Sequence, residues 1–191
     1  MTHAFAKPGR KLSTTRDILD RYETPEYVAE ELVKRIAFEG RVLEPAAGTG
    51  RLARVLRAAG NVVDTGDITR GRDFLKWNYG AVDNVVTNPP YSWDFPEQFV
   101  RKSIAISRRK VVMLLKPGFL WGNGRAPFLD EHNPTDIIIL SERIIFIHAD
   151  GKKIKGQFFD HAWFVWDATR PKGPTQLHYA TVPAAVRKAA R

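Results

Sequence analysis

The sequence predicts a Rossmann-like, doubly wound and mostly parallel α/β sheet that is completed by an antiparallel C-terminal hairpin. Three observations predict this fold class. Short apolar runs alternate with helical patterns over the first 115 residues, as in parallel sheets covered by helices. A glycine-bearing turn joins the first apolar run to a helix. The C-terminal third is rich in β-branched and aromatic residues and has no helix-length pattern.

The elements of the first half follow one another from residue 24 onwards. Thr24 is a favourable N-cap and Pro25 suits the first helical position, so the first helix should run from 25 to 38. Buried parallel strands and helices then alternate along the chain. Strands are predicted at 41–45, 62–67, 82–87 and 111–115, and helices at 52–59 and 95–108.

Three further strands are predicted in the C-terminal third, at 136–140, 143–148 and 158–166, and they form the hairpin region. The aromatic run His161-Ala162-Trp163-Phe164-Val165-Trp166 lies along the last of them. Its position in a strand favours a core role over a base-stacking surface. The basic tail at 183–191 is expected to form a short helix or to fray.

Length and composition indicate one domain over 17–191, preceded by a flexible basic arm at 1–16. The chain has no cysteine, which excludes disulfides and thiolate metal sites, and we expect no metal. No apolar stretch is long enough for a membrane span and no signal-peptide pattern is present, so a cytoplasmic location is expected. The net charge of +9 favours a polyanionic partner such as nucleic acid. Surplus charge can also serve solubility alone.

The segment Gly48-Thr49-Gly50-Arg51-Leu52-Ala53 matches a loose G-x-G-x-x-G/A pattern, in which the backbone turns sharply and approaches a ligand at a helix N-terminus. A plain strand-to-helix turn is the structural alternative. Glu44 ends the preceding strand, and its carboxylate would repel a pyrophosphate such as that of NAD. The same carboxylate suits the ammonium and sulfonium charges of S-adenosylmethionine.

Acidic residues follow the second predicted strand. Asp67 lies where a carboxylate can accept hydrogen bonds from both ribose hydroxyls of a nucleoside cofactor, and its alternative role is a turn or cap. Asp64 is a rival, but the strand pattern favours Asp67. Asp73 and Phe74 follow in a loop, where they could contact the adenine of the cofactor.

The segment Asn88-Pro89-Pro90-Tyr91 directly follows the strand predicted at 82–87. The prolines hold the backbone rigid, so Asn88 Oδ1 and the Pro89 carbonyl can both accept from one planar NH2 group. Tyr91 offers a face on which a planar substrate stacks. Two acceptors stabilise the positive charge that grows on a poorly nucleophilic amino nitrogen during attack on a methyl group. No metal or strong base is needed for such a transfer.

Together these motifs resemble the S-adenosylmethionine-dependent amino-methyltransferases, most closely the DNA N6-adenine methyltransferases of bacteria and phages. The resemblance covers roughly residues 20 to 168. It implies the class I methyltransferase fold, with a sheet of seven strands of which the last is inserted antiparallel. It also implies S-adenosyl-L-methionine as cofactor and the N6 amino group of a flipped adenine in DNA as methyl acceptor.

The resemblance assigns residues as well. It identifies Asn88, Pro89, Pro90 and Tyr91 as the catalytic motif. The cofactor contacts that it implies are Tyr22, Thr24, Pro25, Glu44, Pro45, Ala46, Gly48, Gly50, Asp67, Asp73, Phe74 and Asn88.

The DNA contacts must come from loops, because larger members of the family carry a separate recognition domain for which the chain after Pro117 is too short. Candidates are Arg125 in one loop and Lys152, Lys153 and Lys155 in another, although both loops could equally be solvated. No obligatory protein partner is evident.

Other functions stay open at this point. The same Asn-Pro-Pro-Tyr motif serves enzymes that methylate a protein glutamine, but these usually place a helical domain before the glycine loop. RNA adenine or guanine is another acceptor. A DNA-binding protein without activity is disfavoured, because every candidate site residue has a suitable side chain.

Overall fold

The computed structural model describes residues 22–92, 94–122, 124–141, 144–148 and 160–181. The predicted basic arm and C-terminal tail lie outside these ranges. The same holds for Lys152, Lys153 and Lys155, so their predicted contact with DNA stays a prediction.

Nine strands and four helices follow one another within the described ranges. The strands are β1 Tyr22–Glu23, β2 Arg41–Glu44, β3 Val62–Thr65, β4 Val82–Thr87, β5 Ser107–Leu115, β6 Asp136–Leu140, β7 Ile147–His148, β8 Ala162–Asp167 and β9 Gln176–Ala180. The helices are α1 Glu26–Val33, α2 Arg51–Ala58, α3 Phe95–Ile106 and α4 Ala126–Glu131, and two 3-10 turns lie at Ile68–Arg70 and Pro117–Leu120. The longest of these helices, α3, has 12 residues, and none in the described ranges is long and apolar enough to cross a membrane.

Seven strands form one sheet in the order β3-β2-β4-β5-β8-β6-β9. Strand β2 pairs in parallel with β3 and β4, and β4 pairs in parallel with β5. Strand β8 runs antiparallel between β5 and β6, and β9 pairs in parallel with β6 at the edge. The predicted Rossmann-like, mostly parallel seven-stranded sheet with an antiparallel C-terminal pair is therefore confirmed.

Four details of the sequence prediction are wrong. The antiparallel strand is β8 rather than the last strand, because β9 continues the sheet beyond it. The strand expected at 143–148 shortens to β7, which pairs with β1 outside the large sheet. The first helix ends at Val33 instead of at residue 38. Just beyond this end, the Arg35 guanidinium donates a hydrogen bond to the Glu31 carbonyl oxygen at 3.0 Å. Its N-cap is Pro25 rather than Thr24.

The sheet separates two apolar layers, because successive residues of a strand point to opposite faces. Along β5, Val112 and Leu114 pack into the layer beneath α1 and α2, whereas Val111 and Met113 pack into the layer beneath α3. This two-sided burial explains why the strands appear in the sequence as continuous apolar runs.

The aromatic run of β8 lies in the core, as predicted. All residues of β8 are buried between β5 and β6. The Trp163 indole nitrogen donates to the Val28 carbonyl oxygen at 3.0 Å and so ties the middle of the sheet to α1.

Replacing Trp163 with Phe should therefore lower the free energy of unfolding. The change removes the hydrogen bond that the indole adds to the Val28 carbonyl, a net loss of about 0.5–1.5 kcal/mol, in addition to the lost packing of the larger ring. Denaturant titration measures the loss, and Tyr179→Phe, at a side chain that is 70% exposed, is the control with an expected change near zero. Equal effects of both substitutions would contradict this assignment.

Candidate functional site

The candidate site lies at the carboxyl edge of the parallel strands. Since β2, β3, β4 and β5 run in the same direction, the residues that follow them meet at one edge of the sheet. The glycine loop follows β2, Asp67 follows β3, Asn88 follows β4 and Lys116 follows β5. The structure thus brings the predicted cofactor loop and the predicted catalytic motif to the same edge.

The glycine loop is held by a carboxylate that the sequence analysis did not select. The buried Glu23 accepts hydrogen bonds from Thr49 N at 2.9 Å and from Thr49 Oγ1 at 2.8 Å. Gly48 has a left-handed backbone with φ of +52°, and a Cβ there would collide with Glu23 Oε1. Gly50, at φ of +84°, is the N-cap of α2. Glycine is therefore required at Gly48 by both conformation and space.

Asp67 contacts the same loop. Its Oδ2 accepts from Gly48 N at 2.8 Å, and its Oδ1 accepts from Thr69 N at 2.9 Å and Thr69 Oγ1 at 2.5 Å. The cap role is thus real, since Asp67 is the N-cap of the 3-10 turn at Ile68–Arg70. The hydrogen bonds to Gly48 and Thr69 also hold the Asp67 carboxylate beside the glycine loop. The rival Asp64 instead forms an exposed ion pair with Arg41.

Glu44 lies beneath the loop and is 2% exposed. Its carboxyl accepts from the Ala53 backbone N–H, and no hydrogen-bond partner for Glu44 Oε2 exists among the described residues. The pKa of Glu44 is raised to about 8, chiefly by burial; the Glu23 and Asp67 carboxylates contribute to the rise, and the Ala53 amide and Arg57 oppose it. The glycine loop therefore sits beside three acidic side chains, while Arg70 and Arg54 donate to its Gly48 and Thr49 carbonyl oxygens at 3.0 and 3.3 Å.

Asp73 and Phe74 are predicted to contact the adenine of a cofactor, but the Phe74 side chain is buried. The Phe74 ring is 2% exposed and packs against Phe99 and Tyr79, with ring centroids 4.8 and 5.7 Å apart. The Asp73 carboxylate accepts from Leu75 N at 3.0 Å. The Phe74 ring is thus part of the apolar core rather than an open stacking surface.

Tyr79 adds a polar atom that the sequence analysis missed. Its hydroxyl lies against the Gly66 backbone so closely that a Cβ on Gly66 would collide with it. Tyr79 Oη is buried, and no residue in the described part of the chain forms a hydrogen bond with it. Burial raises the pKa of this hydroxyl, and the negative charges of Asp67 and Asp73 raise it as well. A lone tyrosine in a loop gives no pattern that could reveal this placement.

The side chains of the Asn88-Pro89-Pro90-Tyr91 segment are joined to their surroundings by hydrogen bonds. Asn88 Nδ2 donates to the Tyr22 carbonyl oxygen at 2.9 Å. The Tyr91 hydroxyl forms a short hydrogen bond to Asn88 Oδ1 and lies 3.0 Å from the Leu114 carbonyl oxygen. Burial raises the pKa of Tyr91 well above its usual value, so the hydroxyl keeps its proton and acts as the donor. Tyr91 thus occupies the acceptor that was expected for a substrate.

The Tyr91 ring is half-buried and has a neighbour on more than one side. Its centroid lies 4.9 Å from that of the buried His161 in an edge contact, and the Lys116 ammonium lies over the ring at 5.4 Å from its centroid. Stacking of a base on this face, as the sequence predicts, requires Lys116 or Tyr91 to move. Of the two prolines before it, Pro89 is buried and Pro90 is half-buried.

The remaining predicted residues lie around these loops. Tyr22 contacts Asn88 through its carbonyl oxygen. The other members of this group are the buried Thr24 and Pro45, the half-buried Ala46, and Pro25 at the start of α1.

Arg125 holds its own loop instead of projecting from it. Arg125 Nη1 donates to the carbonyl oxygens of Phe119 at 2.9 Å and Trp121 at 3.2 Å, and Arg125 Nε donates to Glu97 Oε2 at 3.0 Å. These bonds give the guanidinium a structural role in the loop.

Solved structures share this architecture. A type I restriction-modification methyltransferase subunit from Streptococcus thermophilus matches over 88% of this chain and 52% of its own, with 12% identity and a TM-score of 0.57. A candidate class I S-adenosylmethionine-dependent methyltransferase from Listeria monocytogenes matches over 86% of this chain and 66% of its own, with 17% identity and a TM-score of 0.55. A candidate RNA methyltransferase from Pyrococcus horikoshii matches over 82% and 91%, with 18% identity and a TM-score of 0.57.

The chain therefore has the class I methyltransferase fold. At identities of 12 to 18% the likeness establishes the fold alone. The chain spans about half the length of the type I restriction subunits that it matches. No protein-family model matches the sequence, and no curated protein matches it either.

The buried Glu44 should make the stability of the fold depend on pH. Its folded pKa of about 8 lies above the ordinary value of 4.5, so the neutral form is the one that the fold favours. Stability relative to Glu44→Gln should be highest below pH 4.5 and fall by about 1.4 kcal/mol per pH unit as the pH rises towards 8. Denaturant titrations of both proteins between pH 4.5 and 8.5 measure the difference. Parallel stability curves would show that Glu44 is ionised in the folded protein.

Proposed function

We propose that this protein transfers the methyl group of S-adenosyl-L-methionine to the N6 amino group of adenine in DNA. The observation that carries the proposal is the link between the glycine loop and Asn88. The Tyr22 carbonyl oxygen binds Asn88, and the next residue, Glu23, binds Thr49 in the glycine loop. Two consecutive residues thus hold a candidate cofactor loop and a candidate amino-group acceptor side by side.

The residues of the loop fit S-adenosylmethionine. Among the described residues no atom lies within 4 Å of a Cβ position at Gly50, so a ligand can approach the loop backbone there, and the buried Glu44 Oε2 has a hydrogen-bonding position to offer. The carboxylates of Glu23 and Asp67 favour a cationic ligand over a pyrophosphate, and a cation at the loop would also favour ionisation of Glu44. When bound, the cofactor supplies an electrophilic methyl group on a sulfonium.

Further contacts can be assigned to the two halves of this cofactor. In the proposal Asp67 contacts its ribose. The methionine end lies near Tyr22, Thr24, Pro25, Glu44, Pro45, Ala46, Gly48, Gly50 and Asn88. Asp73 and the backbone of Phe74 approach its adenine, since the Phe74 ring itself is buried.

Asn88 would act on the acceptor amino group. Its Nδ2 is fixed by the Tyr22 carbonyl, which directs Oδ1 as an acceptor towards the place that the Tyr91 hydroxyl now fills. A substrate NH2 group that displaces this hydroxyl donates to Asn88 Oδ1, and the Pro89 carbonyl is the second acceptor. Both oxygens stabilise the positive charge that develops on the nitrogen during methyl transfer. The methylated nitrogen then loses its proton to solvent.

Several features favour DNA as the substrate. The chain carries a net charge of +9, which suits a polyanion. Among the proteins of this fold are subunits of type I restriction-modification systems, although one candidate RNA methyltransferase shares it too. A base must leave the duplex to reach Asn88 at the sheet edge. The assay below separates DNA from RNA and from protein glutamine.

The cofactor assignment predicts a specific effect at Asp67. Asp67→Asn keeps the shape of the side chain but removes its charge, so S-adenosylmethionine affinity should fall by about ten- to a hundredfold if charge-assisted hydrogen bonds are lost. Isothermal titration calorimetry measures the affinity, and NAD should not bind. Asp64→Asn is the matched control, because this exposed aspartate pairs with Arg41 and should leave affinity unchanged. Equal affinities of all three proteins would refute the assignment.

The methyl-transfer assignment predicts that Asn88→Ala loses activity but not the cofactor. Removing one preorganised acceptor should slow transfer by at least about a hundredfold, while S-adenosylmethionine affinity changes little. The assay incubates the protein with labelled cofactor and duplex DNA, RNA or protein extract, and then identifies the modified nucleoside or amino acid. We expect N6-methyldeoxyadenosine. A different labelled product would replace the proposed substrate, and near wild-type transfer by Asn88→Ala would eliminate the mechanism.

A further inference from the structure

Two large apolar side chains project from the sheet edge that carries the candidate site. Leu120 is 40% exposed and Trp121 is 66% exposed. They stand at the end of the 3-10 turn Pro117–Leu120, which follows β5 after Lys116. We call Leu120 and Trp121 the rim pair. Exposure of a single apolar residue is ordinary, but two neighbours at a candidate active site form a surface that binding can cover.

The backbone beneath the rim pair is firmly held. The Phe119 ring is 5% exposed and packs edge-on against Phe164, with ring centroids 5.9 Å apart. The Arg125 guanidinium lies over this ring, 4.7 Å from its centroid, and donates to the Phe119 and Trp121 carbonyl oxygens. An anchored loop with an exposed indole has lost its backbone freedom before any partner binds, which favours tight association.

The residues just before the turn that carries the rim pair contact the candidate catalytic motif. The Leu114 carbonyl oxygen lies 3.0 Å from the Tyr91 hydroxyl, and the Lys116 ammonium lies over the Tyr91 ring. Only Pro117, Gly118 and Phe119 separate Lys116 from the rim pair. A nucleic acid whose base reaches Asn88 would therefore lie next to Leu120 and Trp121, with a lysine close by for its phosphates.

We propose that the rim pair enters the base stack of duplex DNA and fills the space left by the adenine that moves to Asn88. This inference rests on the proposed function and deepens it by assigning the surface that engages the duplex. Displacing a base leaves an apolar gap between its neighbours, and inserted apolar side chains offset the lost stacking. The indole of Trp121 stacks on any base, so the contact needs no particular sequence. The net charge of +9 favours this polyanionic occupant over a protein.

A binding experiment tests the inference without requiring catalysis. Fluorescence anisotropy measures the affinity for a mixed-sequence duplex and for the same duplex with abasic nucleotides opposite several thymines. An abasic nucleotide leaves a gap in the base stack without any base having to move, so the wild type should bind the abasic duplex more tightly than the intact one. Trp121→Ala should lose about five- to a hundredfold of this preference, the range for stacking of one base, and Trp121→Phe should keep most of it. Tyr179→Ala, at an exposed aromatic on β9, is the matched control and should keep all of it.

A second experiment separates failure of this inference from failure of the proposed function. Methyl transfer is measured on native and on heat-denatured genomic DNA. Trp121→Ala should be slower on native DNA only, because single strands need no gap to be filled. If the wild type methylates neither DNA, the proposed function fails and the binding preference alone decides on the rim pair. The inference is overturned if the wild type lacks the preference, if Trp121→Ala keeps it, or if that variant slows both reactions equally.

Discussion

The site depends on the two-residue strand β1. Its Glu23 carboxylate holds the glycine loop through Thr49, and its Tyr22 carbonyl oxygen holds the Asn88 side chain. Pairing with β7 in a separate small sheet keeps β1 in place. Because both bonds come from adjacent residues, any shift of β1 moves the two loops together. In the proposed function, the distance between the cofactor and its acceptor would thus be set by one short segment that lies outside the main sheet.

The second constraint is electrostatic. Glu23, Glu44 and Asp67 lie around one turn of backbone, and burial leaves Glu44 with a pKa of about 8. Such a cluster disfavours the ionised form of Glu44, since Glu23 and Asp67 repel its charge and burial removes its hydration. A cationic ligand relieves both effects at once. In the proposed function, the fold would thus give up some stability for selectivity towards a cationic ligand, a balance that is common at functional sites.

Local patterns predicted much of the fold, and long-range contacts account for what they missed. The strand at Val82–Thr87 has the bounds predicted from its apolar run. A strand that is buried on both faces consists of consecutive apolar residues, and this pattern is visible in the local sequence. The edge strand β9 was missed, since only Ala180 of its residues is buried. Glycine and proline motifs predicted the candidate site. The contacts of Glu23 and Arg125 reach 26 and 28 residues along the chain, and no spacing rule predicts them.

In the proposed reaction, the hydrogen bond from Tyr91 to Asn88 would help the site to discriminate between ground state and transition state. An arriving amino group exchanges one neutral donor for another at Asn88 Oδ1, so this contact adds little net affinity for the resting substrate. As the methyl group transfers, the nitrogen becomes cationic and the phenol cannot match it as a donor. Asn88 Oδ1 then stabilises the substrate most strongly in the transition state. Because the Tyr91 hydroxyl competes for the same oxygen, this contact would stabilise the transition state more than the bound substrate.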